Sequence, residues 1–320
     1  MTDNLDAENH AETEWGECIE VLIQKGDWPG VADMCRKRAE SEPENGRDWF
    51  SLGIAYAILK RYNDAVEAFR QAVRINPEDA AAWGNLANGY RLLERYEDAS
   101  EAFRQSLRIK PEDAKAWYNL GNAYGNLKRY DDAIDAYRQG LRISPEYAEA
   151  WYGIGITYSR LNRYDDAVEA FRQATRIDPE YVNAWYNLGN AYGNLNRFND
   201  KIDAYRQGLR IKPVDAEAWY NLGLDYDELK RYDDAIDAYR QGLRINPKNS
   251  KTWFSLGIAY TQLDRYDDAI DACRQALDID PEGVADLLSG NRTAALDVIR
   301  NLRRLDSAMA DKLFNLIVTR

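Results

Sequence analysis

Asparagine recurs at two fixed positions of a 34-residue period in this sequence. Counting Gly46 as position 1 of the period, one set falls at position 6 and the other at position 9. Position 6 holds Asn85, Asn119, Asn187 and Asn221, and position 9 holds Asn88, Asn122 and Asn190. An amide side chain carries both donors and an acceptor, so a row of amides can pair with the backbone of an extended peptide whatever its side chains are. The pattern predicts noncovalent recognition of a polypeptide.

Aromatic and acidic side chains accompany the amides. Position 5 is aromatic in six repeats, among them Tyr118, Tyr152, Tyr186 and Tyr220, and rigid rings give contact area at a low cost in entropy. Repeat 6 gathers acidic residues: Glu217, Asp225, Asp227 and Glu228. We interpret Asp227 and Glu228 as groups that face a basic residue of the partner. A solvated acidic patch is the alternative.

The residue inventory argues against catalysis. The only histidine is His10, so neither a histidine-based triad nor a histidine metal site can be assembled. Carboxylates recur in the same columns of every repeat, and no pair of them stands apart. Gly121 and Gly125 follow no strand and precede no GKS or GKT, so they form no phosphate loop. The sequence predicts no enzyme, no catalytic residue, no metal and no cofactor.

Two helices in each period must position these side chains. Trp, Leu or Ile, and Tyr recur at positions 4, 7 and 11, a spacing that lies on one face of a helix. Alanine at position 20 and an aromatic residue at position 24 mark a second helix. Proline at position 32 ends the repeat, and residues such as Asp79, Asp113 and Asn249 can cap the helix that follows. Each period is predicted to be a helical hairpin.

These columns resemble the signature of the tetratricopeptide repeat (TPR) family. Repeat 3 carries it in Trp117, Leu120, Gly121, Tyr124, Ala133, Tyr137 and Pro145, and the resemblance covers residues 46–283 seven times over. It implies an all-α fold, a right-handed superhelical solenoid of tandem TPR helical hairpins with a C-terminal helical cap. It also implies that the first helices line a concave groove. The asparagines there are similar to the ladder in the superhelical repeat region of O-linked N-acetylglucosamine transferase, whose catalytic domain has no counterpart here.

The domain organisation follows from where the period holds. We expect a disordered acidic leader at 1–11, a degenerate repeat at 12–45, seven repeats at 46–283 and capping helices at 284–320. The net charge of −12 disfavours nucleic acid as a partner, since nucleic-acid binding depends on neutralising phosphates. No apolar run reaches membrane-spanning length and no secretory signal is present, so a cytoplasmic protein is expected. Three cysteines fit no disulfide framework, and Cys273 stands in a packing column.

Two functions are compatible with these features. The first is a non-catalytic scaffold that binds an extended peptide or partner segment through the asparagine and aromatic columns. The alternative is a self-assembling structural protein, a homo-oligomer formed through its terminal repeats and C-terminal helices. One position breaks the pattern: Lys201 replaces alanine at position 20, and we expect its ammonium to reach outward to solvent and to weaken repeat 5.

Overall fold

The structure, a computed structural model, describes residues 19–284 and residue 311. All regular secondary structure in this part of the chain is helical. Two compact units are present, Met1–Asn162 and Arg163–Arg320, and the division falls between the two helices of repeat 4. The predicted leader lies outside the described residues, as do residues 12–18 of the degenerate repeat and almost all of the predicted cap.

Each repeat contains a helix A and a helix B. The A helices are Gly46–Ile58, Ala80–Leu92, Ala114–Asn126, Ala148–Arg160, Val182–Asn194, Ala216–Glu228 and Ser250–Gln262. The B helices are Tyr62–Ile75, Tyr96–Ile109, Tyr130–Ile143, Tyr164–Ile177, Phe198–Ile211, Tyr232–Ile245 and Tyr266–Ile279. A further helix, Trp28–Ser41, precedes repeat 1 and packs on it through the ion pair of Arg38 with the buried Asp48. The fold is an all-α array of helical hairpins, as the sequence predicts.

Local hydrogen bonds set the ends of helix A. Asp79, Asp113, Asp215 and Asn249 each accept a bond from a backbone N–H of the first turn. At the other end a non-glycine residue at position 15, such as Lys60 with φ of 60°, takes the left-handed conformation. The N–H of Arg61 then donates to the carbonyl of Tyr56, and that of Lys60 to Ala57, which is the Schellman arrangement. This turn reverses the chain into helix B.

The tryptophan and proline columns form one structural device. In every repeat the indole N–H of position 4 donates to the carbonyl of the proline six residues earlier. The distance is 3.1 Å for Trp151 and Pro145 and 2.9 Å for Trp219 and Pro213. Because the proline ends one repeat and the tryptophan lies in the next, this bond fixes the junction between successive repeats.

Glycine at position 8 lets the ring at position 24 pack against helix A. A Cβ atom built on Gly121 or Gly53 would overlap the ring of Tyr137 or Phe69. At Gly223 the obstacle is Tyr239, which is fully buried. Gly125 differs, since its Cβ would meet nothing within 4 Å. The two kinds of glycine therefore serve different purposes.

We expect Gly223→Ala and Gly125→Ala to change stability in opposite directions. Overpacking against the immobile Tyr239 ring outweighs the helix propensity of alanine and should destabilise the protein by about 1–2 kcal/mol. At Gly125 the propensity gain acts alone and should stabilise by about 0.5–1 kcal/mol. Urea unfolding of the two variants beside wild type measures both, and stabilisation by Gly223→Ala would contradict the packing described.

Lys201 does not reach outward as the sequence predicts. Its ammonium pairs with the carboxylate of Asp225, at position 10 of repeat 6. The side chain of Asp225 is only 3% exposed and that of Lys201 only 20%. The stem of Lys201 runs past Gly193, whose Cβ would lie 3.1 Å from Cδ of the lysine. The lysine is accommodated because position 12 of its own repeat is a glycine, which leaves room for the stem, and position 10 of the next repeat is an acid, which pairs with the ammonium.

Candidate polypeptide-binding site

The amides at position 6 are half-buried on helix A, and they differ in what they bond. Nδ2 of Asn85 donates to the carbonyl of Ala81 at 2.9 Å, and Nδ2 of Asn187 donates to that of Asn183 at 2.8 Å. For Asn119 and Asn221 no hydrogen bond is recorded among residues 19–284. A helical carbonyl already accepts from the backbone, so the bonds back to helix A can be exchanged for bonds to a ligand.

Two of the amides at position 9 accept hydrogen bonds from buried tyrosine hydroxyls. The hydroxyl of Tyr137 donates to Oδ1 of Asn122 at 2.8 Å, and that of Tyr205 donates to Oδ1 of Asn190 at 2.6 Å. Both phenols are buried and need an acceptor. In repeat 2 position 24 is a phenylalanine, which has no hydroxyl, and Nδ2 of Asn88 donates to the carbonyl of Gly84. The oxygens of Asn122 and Asn190 are therefore occupied, and their N–H groups remain for a partner.

Repeats 3 and 4 enclose a cleft of about 150 Å³ on the helix A side. Three of the predicted residues, Tyr118, Asn122 and Tyr152, line it, together with Arg160 and the open Gly125. Gly153 interrupts the asparagine column here because its Cβ would lie 2.7 Å from Cζ of Tyr137, a ring of the preceding repeat. The cleft thus joins aromatic, amide and cationic groups from two successive repeats.

Three of the tyrosines at position 5 pack against other aromatic rings. Tyr186 stacks on Tyr205 with ring centroids 5.5 Å apart, and Tyr220 lies 6.0 Å from Tyr239. Tyr118 contacts Tyr137 and Tyr147 at 5.9 and 5.2 Å. The hydroxyl oxygen of Tyr186 is buried without a hydrogen-bond partner in the described part of the chain. In each compact unit the half-buried tyrosine rings at position 5 form an aromatic floor.

The acidic group of repeat 6 is not the exposed patch that the sequence indicates. Asp225 pairs with Lys201, and Oδ2 of Asp227 accepts from the hydroxyl of Tyr239 at 2.6 Å. Burial raises the pKa of Asp227 to about 6, while the phenol bond opposes the shift. Glu217 and Glu228 are exposed. Two of the four carboxylates therefore belong to the interior, and Asp227 takes the acceptor role that Asn122 fills in repeat 3.

The raised pKa of Asp227 predicts a stabilising substitution. The folded state binds the proton more tightly than the unfolded chain, whose pKa is 3.8, so stability falls as the pH rises from about 4 through about 6. Asp227→Asn keeps an acceptor for Tyr239 and carries no charge. We expect it to raise the free energy of unfolding by about 1 kcal/mol at pH 8, after allowing for a buried N–H without a partner.

At pH 5 the gain from Asp227→Asn should shrink, because wild-type Asp227 is then protonated. Urea unfolding at both pH values measures the difference, with Glu228→Gln as the control for removing an exposed charge. A gain that is equal at the two pH values would contradict the assignment.

Larger clefts lie on the helix B side of the second compact unit, with volumes of about 750, 630 and 590 Å³. Each has the Trp, Leu and Tyr of positions 4, 7 and 11 at its base. In the first, Arg172 and Arg176 form one wall, and Asp203 and Gln207 belong to the other. Walls of opposite charge do not select a partner of either sign, so the helix A side is the better candidate.

The cysteines that the structure describes are packing residues. Cys35 and Cys273 are both fully buried, and burial raises the pKa of their thiols to about 11 and about 12. Cys273 fills position 24, as predicted, and its Sγ would lie 2.6 Å from a Cβ on Gly257. Cys18 lies outside the described residues.

Among residues 19–284 and residue 311, no group of three or more His, Cys, Asp or Glu side chains could hold a metal ion. None of the helices described there combines the length and the hydrophobicity that crossing a bilayer requires.

The family models that match the sequence are all tetratricopeptide repeat models. They cover residues 47–79, 87–128, 112–180 and, in three overlapping segments, 152–216, 186–250 and 220–284. No curated protein sequence matches the chain.

Solved structures show the same fold. A crystal structure of MamA protein matches with a TM-score of 0.50 and 28% identity, over 54% of this chain and 94% of that one. YrrB, described as a TPR protein with an unusual peptide-binding site, matches with a TM-score of 0.51 and 22% identity, over 57% and 94%. The chain belongs to the tetratricopeptide repeat family. It is a protein–protein interaction scaffold built of helical hairpins.

Proposed function

We propose that this chain is a non-catalytic, cytoplasmic scaffold that binds an extended segment of another polypeptide along its A helices. The observation that carries the proposal is the set of half-buried amides at position 6, above all Asn119, whose donors and acceptor have no partner among the described residues. Each amide can displace water from a backbone N–H or carbonyl of the ligand and form a direct hydrogen bond with that group.

The aromatic floor supplies the second part of the interaction. Tyr118 and Tyr152 present ring surface at the cleft of repeats 3 and 4, where Asn122 keeps its N–H groups. Rings that are already packed lose little entropy when a ligand binds. In repeat 6 the exposed Glu228 is the carboxylate that a basic residue of the segment would face, and Asp227 contributes indirectly through its bond with Tyr239.

Selection from a displayed library of random twelve-residue peptides tests the proposal. The full chain is immobilised, and the enriched peptides are synthesised and measured in solution by fluorescence anisotropy. We expect linear sequences that bind with saturation. Failure to enrich any linear peptide, in repeated selections with a functional control domain, would overturn the proposal.

A further inference from the structure

The cleft of repeats 3 and 4 has an unusual electrostatic character for this acidic chain. Of the ten residues that line it, Arg160 is the only charged one. The others are aromatic, amide, hydroxyl, aliphatic or glycine residues. A protein with a net charge of −12 thus presents a small cleft whose lining residues carry one formal charge, which is positive.

Arg160 is available to a ligand. It is the last residue of helix A in repeat 4, at position 13, and its side chain is exposed. The other repeats have Ile, Leu, Asn, Glu or Gln at this position. No ion pair or hydrogen bond of its guanidinium is recorded among residues 19–284. Its charge reaches the base of the cleft, because it opposes the rise that burial causes in the pKa of the Tyr137 phenol.

A second donor, the hydroxyl of Tyr118, belongs to the same cleft. The hydroxyl of Tyr118 makes no recorded hydrogen bond among the described residues, and its ring is held by Tyr137 and Tyr147. The space beside it is open because position 12 is Gly125, whose Cβ would meet nothing within 4 Å. The cleft volume of about 150 Å³ leaves room for a small side chain such as that of glutamate.

We propose that this cleft receives an acidic side chain, aspartate or glutamate, of the bound segment. The inference rests on the proposed function, since it names one residue of the segment that the A helices hold. The carboxylate accepts from the guanidinium of Arg160 and from the hydroxyl of Tyr118, and the aliphatic stem lies against the rings of Tyr118 and Tyr152. A carboxylate and a guanidinium form a charge-assisted hydrogen bond, which is stronger than a neutral one.

A charge exchange tests the inference. The twelve-residue library is selected in parallel on wild type, on Arg160→Glu and on Arg142→Glu, which changes an exposed arginine of helix B in the same compact unit. We expect wild type and Arg142→Glu to enrich peptides that share an acidic residue at one aligned position. Arg160→Glu should enrich lysine or arginine there.

Affinity measurements sharpen the test. Replacing the shared glutamate of a selected peptide by glutamine should weaken its binding to wild type by about tenfold and leave its binding to Arg160→Gln unchanged. Gly125→Leu places an apolar side chain in the cleft and should also weaken binding of the glutamate peptide. Circular dichroism confirms that each variant is folded.

The outcomes separate the two proposals. Peptides that bind wild type but share no acidic position would overturn the inference and leave the proposed function standing. An acidic preference that persists on Arg160→Glu would overturn it as well. If wild type enriches no peptide, the proposed function fails and the inference fails with it.

Discussion

Asp225→Ala should lower the free energy of unfolding by about 3 kcal/mol. The substitution leaves the Lys201 ammonium beside helix A of repeat 6 with no carboxylate to pair with, and an unpaired charge in a buried position is strongly unfavourable. Breaking a buried ion pair usually costs about 3–5 kcal/mol. We expect the lower end of that range because the Lys201 side chain is still 20% exposed. Urea unfolding at pH 7 measures the loss.

Lys201→Ala should also destabilise, with a pH dependence that Asp225→Ala lacks. Burial already raises the pKa of Asp225, and the Lys201 ammonium opposes that shift. Without the lysine the carboxyl group can take up a proton, so the penalty should be smaller at pH 5 than at pH 8.

The double variant Lys201→Ala/Asp225→Ala decides whether the pair acts as a unit. It restores alanine at positions 10 and 20, the residues found together where repeat 7 meets repeat 6, at Ala259 and Ala235. We expect it to be as stable as wild type or more stable, since apolar packing commonly equals or exceeds a buried ion pair. If the loss of unfolding free energy in the double variant equals the sum of the losses in the two single variants, the pairing is contradicted.

Asn85→Ala/Asn119→Ala should weaken binding of a selected peptide by about 30-fold. Each amide contributes about 1 kcal/mol through one net hydrogen bond, and 1.4 kcal/mol corresponds to a factor of ten. The matched control is Gln105→Ala/Gln139→Ala, which removes two amides from the B helices of the same repeats. Fluorescence anisotropy gives both dissociation constants.

The control variant should bind like wild type. Equal weakening by the two double variants would show that the peptide does not distinguish the A helices from the B helices. If the selected peptide is held by the second compact unit, the equivalent pairs are Asn187 with Asn221 and Gln207 with Gln241.

The repetitive part of this fold was predictable from the sequence, because each repeat restates the same local rules. Proline ends the repeat, Asp79 or Asn249 caps the next helix, and the apolar columns define two faces. The turn at position 15 was harder to predict, since Lys60 and its equivalents are not the glycines that the left-handed conformation favours. Tertiary packing imposes that conformation.

For the candidate site, the sequence predicted which repeat positions contribute side chains but not what those side chains contact. The bond of Asn122 with Tyr137 joins positions 9 and 24, and a sequence gives no direct sign that an amide in a groove column also satisfies a buried phenol. For the same reason, the sequence did not predict that Asp227 accepts a hydrogen bond from the buried Tyr239. No single position signals these bonds, since repeat 2 combines an asparagine at position 9 with a phenylalanine at position 24.

The Lys201 and Asp225 pair shows what a single column cannot reveal. Position 20 taken alone predicts a lysine that extends to solvent, whereas its partner stands 24 residues later in the next repeat. Position 20 of repeat 5 and position 10 of repeat 6 are small in most other repeats, and both become charged at this one junction. Gly193 provides the space for the lysine stem. Reading the columns in pairs across a junction would have identified the contact.

Site-specific photo-crosslinking tests the central claim most directly. A benzophenone amino acid replaces Asn126, an exposed residue of helix A, or Arg142, an exposed residue of helix B in the same repeat. Each protein is illuminated with a selected peptide, and mass spectrometry quantifies the adduct. We predict efficient crosslinking from position 126 and little from position 142. Strong crosslinking from position 142 with none from position 126 would contradict binding along the A helices.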